Sequence, residues 1–177
     1  MIRMTKQDFM EKLKCFLGDD KIDYSILDLN IPSDVQTCLL YSTNDLWLNK
    51  KQFDALMDIT SSYKALYIAQ NDSDETFRFD LPMSYEEYIN LNLYSVSFIT
   101  SDKFDWVIVI EEGLESGIGV MIGDLHFINN FNTLYSDSLT DIYELISFHY
   151  RDQARNPKSI QNLIKLLSFV HRLPEKE

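Results

Sequence analysis

An α+β domain on a mostly antiparallel sheet is the fold this sequence predicts, and three observations predict it. Residues 94–100, 105–111 and 117–123 form apolar or alternating runs separated by brief turns at 101–103 and 112–116. Connections that short cannot hold a crossover helix, so these strands pair antiparallel as a meander. On either side the apolar period lengthens from two to 3.6 residues, and helix caps stand where it does so. Composition agrees: 177 residues that are 45% hydrophobic and 13% aromatic suffice for one domain over 1–177 and argue against disorder. The expected architecture is one sheet of about five strands with helices before and after it.

Thr5 caps a first helix whose Phe9, Met10, Leu13, Phe16 and Leu17 form one apolar stripe, and Gly18 stops it. Residues 19–23 are an acidic loop. Pro32 and Ser33 open either a short helix carrying Val35, Cys38 and Leu39 or, over 37–41, a strand. Asn49 with Gln52, and the Leu48/Phe53 pair, make a capping box and hydrophobic staple for the next helix. Such a cap contributes about 1 kcal/mol, enough to fix a helix start. A second box follows at Ser84 and Glu87, stapled by Met83 and Tyr88.

Between the two boxes, 63–69 and 76–80 flank a polar loop at 71–75 and read as a hairpin. Phe77 and Phe79 alternate with Arg78, which predicts one buried and one wet face. In the meander, 106–110 is apolar on both sides, as for a central strand covered by helices on both faces or placed at an interface. Asp124 then caps a helix with Leu125, Ile128, Phe131 and Leu134 on one face. Ser138 caps another that carries Leu139, Ile142, Tyr143, Leu145, Ile146 and Phe148. A last helix opens at Asn156–Pro157, presents Ile160, Leu163, Ile164, Leu167 and Val170 to the core, and stops at Pro174. This C-terminal helical segment, 138–173, is expected to pack on the sheet.

Charge sets the functional bounds. The chain carries 28 Asp+Glu against 16 Lys+Arg, a net −12. A field of that sign repels phosphate backbones and anionic lipid and steers cationic partners inward. Nucleic acid and membrane are therefore not expected partners, although acidity also serves plain solubility. The first seven residues lack an apolar h-region and the longest apolar run, 106–110, is far below the ~20 residues of a span. A soluble cytoplasmic protein is expected. Cys15 and Cys38 lack CxxC spacing and lie in apolar patterns, which predicts buried free thiols.

No motif names a reaction. Gly117-Ile-Gly119-Val-Met-Ile-Gly123 has GxGxxxG spacing inside a strand, unlike a dinucleotide fingerprint, and reads as close packing of neighbouring elements. His126, His149 and His171 show no HExxH or HxH spacing, so neither metal nor cofactor is expected. Asp72-x-Asp74 lacks the glycine and terminal glutamate of a calcium loop. Three acidic patches remain: Asp19/Asp20/Asp23, Asp72/Asp74/Glu75 and Glu111/Glu112/Glu115. Tyr85, Tyr88 and Tyr94 surround Glu86 and Glu87, and Tyr135, Tyr143 and Tyr150 stand near Asp137, Asp141 and Asp152. Tyrosine among carboxylates suits an interface with a basic protein, although solvated loops and half-buried core tyrosines give the same pattern.

The stretch from Ile31 to Tyr135 resembles small acidic bacterial immunity and antitoxin-type proteins, including the SMI1/KNR4-like group and contact-dependent inhibition immunity proteins. The residues that carry the resemblance are Asp105-Trp106-Val107-Ile108-Val109-Ile110, the turn to Gly117-Ile-Gly119, the Asp124-Leu-His-Phe-Ile helix and the early Ile31-Pro32. The Asn-Gly-Gly-type turn of the SMI1/KNR4 pattern is absent. The resemblance implies a cytoplasmic, non-enzymatic protein that neutralises a cognate basic toxin, often a nuclease. The expected contact residues are Asp72, Asp74, Glu75, Glu86, Glu87, Glu111, Glu112 and Glu115, on a monomer or homodimer. Two other readings stand beside it. One is an enzyme that assembles His126 or His149 with Asp124 or Asp152; the other is a structural subunit that associates through 106–110.

Overall fold

The computed structural model describes residues 4–18, 25–29, 31–32, 34–112, 117–135, 146–147, 151 and 158–170. Local chemistry fixes where each helix begins. The Thr5 hydroxyl accepts from the Asp8 amide at 3.1 Å and starts α1 (Lys6–Leu17), which Gly18 ends at φ 76°. Asn49 and Gln52 close a reciprocal box, both bonds 2.9 Å, at the head of α2 (Lys50–Ile59). Ser84 and Glu87 do the same for α3 (Tyr85–Ile89), and Asp124 accepts from the Phe127 amide to start α4 (Leu125–Leu134). A 3-10 turn spans Ile26–Asp28, and α5 covers Ser159–Leu167.

Six strands, rather than about five, form one antiparallel sheet in the order β1-β6-β5-β4-β2-β3. They are β1 (Gln36–Thr43), β2 (Ala65–Gln70), β3 (Thr76–Asp80), β4 (Ser97–Ser101), β5 (Trp106–Glu111) and β6 (Gly117–Gly123). The hairpin and the meander stand where the sequence puts them. The extra strand is β1, where the helix reading of 32–39 gives way to the strand reading. It pairs with β6 from Gln36↔Gly123 to Thr43↔Gly117, across most of the chain. Cys38 and Leu40 enter one core cluster while Leu39 enters the other. A strand buried on both faces loses its alternation and reads as a plain apolar run.

Helices cover both faces of this sheet. On one, α2, α3 and α4 pack over Leu40, Leu66, Ile68, Ile99, Trp106, Ile108, Ile110 and Met121. On the other, α1, the 3-10 turn and α5 cover Leu39, Ala69, Phe98, Val107, Val109, Val120 and Ile122. Strand β5 therefore lies third of six with helices on both sides, and five of its six residues are buried.

Two further expectations are corrected. Helix α5 buries Ser159, Leu163 and Leu166, followed by Phe169, and leaves Ile164 63% exposed. Its docking side is rotated from the predicted stripe because Lys165 reaches the Leu29 carbonyl at 2.7 Å and the Phe169 carbonyl accepts from Thr37. Cys15 is exposed on the outer side of α1, whereas Cys38 is buried and donates to Asn132 at 3.0 Å. Of the predicted helix from Ser138, residues 146–147 are described and helical, with Ile146 packed against the core on the α1–α5 side. Its Ser138 start, and the Asn156–Pro157 start and Pro174 stop of the last helix, lie outside the described residues.

Candidate functional site

Strand register decides which acidic residues meet. Gln70 stands opposite Ser97, Ser97 opposite Ile110, Glu111 opposite Ile118, and Thr43 opposite Gly117. The turn after β1, the 71–75 loop, the approach to β4 and the departure from β5 thus all emerge at one end of the sheet. Asp45, Asp72, Asp74, Glu75 and Glu112 are exposed there. In the sequence the 71–75 and 111–115 patches stand far apart and Asp45 belongs to neither; its φ of 51° belongs to a tight turn.

A buried side chain builds this end. Gln70, 1% exposed, accepts from the Tyr94 amide at 2.7 Å and donates to the Asn92 carbonyl at 3.2 Å. Those bonds hold the 92–94 segment against the 71–75 loop. Asn71 donates its amide to the Val96 carbonyl at 2.9 Å, and the Asp72 amide donates to Ser95 Oγ at 3.2 Å. The Tyr94 hydroxyl then donates to the Asp72 carbonyl, leaving the ring 56% exposed beside the carboxylates. From the other face the Lys6 ammonium donates to the Asn71 carbonyl, and the Lys6 amide donates to that of Asp74 at 3.2 Å. A cation from α1 thus sits under the acidic loop and helps shape it.

The remaining predicted residues part company with this cluster. Glu111 turns inward: one of its oxygens accepts from the Ile26 amide at 2.7 Å and from Ser25 Oγ at 2.9 Å, which fixes the start of the 3-10 turn. Glu86 and Glu87 lie in the first turn of α3, on the α2–α4 side of the sheet, and both are exposed. Glu87 is held by Ser84, whose hydroxyl and amide donate to it at 2.7 and 2.8 Å and push its pKa down. Glu115 lies outside the described residues, as do Asp19, Asp20 and Asp23.

The tyrosines divide in the same way. Tyr88 is buried and its hydroxyl oxygen accepts from the Leu48 amide at 2.9 Å, while the half-buried Tyr85 donates to the Leu48 carbonyl at 3.2 Å. Tyr135 is 3% exposed and bonds Gln52. These rings are core clamps, so Tyr94 is the one aromatic of the described group offered at the acidic end. Tyr143 and Tyr150 lie outside the described residues.

The opposite end of the sheet carries a second polar cluster that sequence reasoning missed. Asp105 accepts from Tyr63 at 2.7 Å and Ser101 at 2.8 Å, and Lys103 lies 4.4 Å from the Tyr63 ring centre. Burial first, then the bond to Asp105, pushes the Tyr63 pKa upward. A phenol held more firmly protonated donates a hydrogen bond and serves poorly as a base, so this arrangement locks a turn. His126 is exposed on α4 and meets Asn130 at 3.2 Å, while the Asp124 carboxylate is spent on its cap. His149, His171 and Asp152 lie outside the described residues. Among the described residues no three His, Cys, Asp or Glu gather as metal ligands, and no helix is long and apolar enough to cross a membrane. A depression of about 390 Å³ between α2 and the end of α4 is lined by Lys50, Lys51, Asp54, Asp58 and Leu134, with Lys50 paired to Asp54. No protein-family model, curated protein or solved structure matches the chain.

Proposed function

We propose that this chain is a non-enzymatic, acidic protein-binding module whose partner is a cationic protein. Its sharpest form is a bacterial immunity protein, resident in the cytoplasm, that occludes a basic toxin of the nuclease type. The observation that supports this reading is the convergence of Asp45, Asp72, Asp74, Glu75 and Glu112 at one end of the sheet around an exposed, hydrogen-bonded Tyr94. Carboxylates there would stand where a nuclease expects substrate phosphates, and a braced aromatic supplies anchoring area at low entropic cost. A net charge of −12 adds long-range attraction for a basic surface and repulsion for nucleic acid and anionic lipid.

The test is capture of a partner from the native host on immobilised wild-type chain, eluted in rising salt. It is run beside a variant with Asp72→Asn, Asp74→Asn, Glu75→Gln and Glu112→Gln. A single basic protein held by wild type to high salt, and released by the variant at least about tenfold more readily, is the expected outcome. A variant with unchanged affinity and unchanged salt dependence would sink the reading. A Glu86→Gln/Glu87→Gln pair separates the α3 carboxylates from the sheet end, and we expect it to bind almost as well as wild type.

A further inference from the structure

We propose that β3 joins two copies of this chain edge to edge, antiparallel, with Phe79 on the two-fold axis. Strand β3 closes one side of the sheet, and its Phe77, Arg78 and Asp80 are exposed. Leu81 donates its amide to the Lys64 carbonyl at 3.0 Å, in the register that pairs Ala65 with Asp80. Hydrogen-bonded pairs alternate along an antiparallel ladder, so Phe77 and Phe79 bond inward to β2. The N–H and C=O groups of Arg78 and Asp80 point outward, away from β2, the one strand paired with β3 among the described residues. Strand β5 offers no such edge, having β4 and β6 on its two sides.

One register satisfies the outward groups of both Arg78 and Asp80. With Phe79 opposite Phe79 of the second copy, Arg78 falls opposite Asp80 and Asp80 opposite Arg78, giving four backbone hydrogen bonds. On one face of the joined sheet the arginines and aspartates form a four-charge network that extends the Arg78–Asp80 pair already made at 2.7 Å within each chain. On the other face the two Phe79 rings meet across the axis, and the 38% exposed Phe77 packs on Leu81 of the second copy. Sliding by one residue pair sets Arg78 against Arg78 and forfeits the network. Thr5 bridges Glu75 just before β3 begins, outside the paired stretch 77–81. An antiparallel dimer also carries the two acidic sheet ends to opposite ends of the assembly, which limits repulsion between two chains of −12 each.

Five paired residues bury less than the ~1,200 Å² of a standard stable interface, so the association is weak, with a dissociation constant on the order of micromolar or above. Sedimentation velocity from about 1 to 500 µM reads it directly. The wild-type mass should climb from monomer toward dimer. Arg78→Asp and Asp80→Arg should each weaken dimerisation at least about tenfold, because each sets like charges across the strands. The double variant Arg78→Asp/Asp80→Arg should restore it. An equimolar mixture of the two single variants should form a heterodimer, since each introduced charge then faces its opposite. Both side chains are exposed, so thermal melting of every variant should match wild type and exclude misfolding as a cause. A wild type that stays monomeric throughout the range, or a dimer indifferent to both charge reversals, overturns the proposal.

Discussion

Tyr88 shows how one residue can tie three elements together. Its ring stacks on Phe53 of α2 at 5.0 Å, it belongs to α3, and its hydroxyl satisfies the buried amide of Leu48 before α2 begins. Tyr88→Phe would keep the ring and strand that amide, so we expect a loss of about 1–3 kcal/mol in chemical denaturation. Burial raises the Tyr88 pKa, which adds a pH signature. A group whose folded pKa is raised contributes stability that is complete below the unfolded value, about 10, and is lost as pH climbs through the folded value. The stability gap between wild type and Tyr88→Phe should therefore narrow in strong alkali. Glu87 runs the other way. Its folded pKa is depressed by Ser84, so its contribution is present above the unfolded value, about 4.3, and lost as pH falls through the folded one. Melting temperatures of wild type and Glu87→Gln should converge on acidification from pH 6 to 3; a constant gap would contradict the assignment. Thr5, Asn49, Ser84 and Asp124 were legible in the sequence because a cap and the amide it serves lie within three residues. Glu111 was not, because the amide it caps belongs to Ile26.

At the scale of elements, strands buried on both faces were legible where brief turns bound them, as with β5 and β6, and not where a long connection leads to the partner, as with β1. Helices α1, α2, α3 and α4 and the strands β3 and β6 stand where the sequence puts them. Two predicted faces are corrected: Leu125 and Leu134 of α4 are exposed while Phe127 is buried beside Ile128 and Phe131, and Phe77 of the edge strand β3 is exposed with no residue of that strand buried. Strand β1 escaped because Cys38, Leu39 and Leu40 are all buried, to opposite sides, so a period of two left no trace. In α5, Ile160, Leu163, Ile164 and Leu167 fit a helical stripe as well as the side actually docked; only the position of the 3-10 turn and β1 chooses between them. The GxGxxxG spacing of β6 reflects close packing, most directly at Gly117. A Cβ there would lie 1.8 Å from the Asp45 carbonyl oxygen and 2.1 Å from Thr43 Oγ1, where the β1–β6 register shifts. Gly117→Ala must displace the 43–45 turn, and we expect it to cost about 1–3 kcal/mol in denaturant unfolding. A variant as stable as wild type would mean that this turn yields freely.

For the molecule as a whole, the sheet sorts chain segments by how firmly they are held. Strand β5 has neighbours on both edges and the Trp106 ring stacked on Phe127 at 5.0 Å. Its amides should exchange with deuterium only on global unfolding, whereas the outward amides of Arg78 and Asp80 should exchange orders of magnitude faster. Comparable rates at the two sites would refute that ranking. The acidic end is a whole-molecule property too, since no run of sequence contains Asp45, Asp72 and Glu112 together and only the strand order gathers them. The same order has a consequence for how the chain comes into being. Among the described residues strand β1 pairs with β6 alone, and residues 44–116 must leave the ribosome before that partner does. At ~5–20 residues per second that is a wait of roughly 4 to 15 s. Through that interval the apolar segment Thr37-Cys38-Leu39-Leu40-Tyr41 lacks the strand that covers its edge in the finished sheet, which makes it a stretch that a nascent-chain chaperone would have to shield.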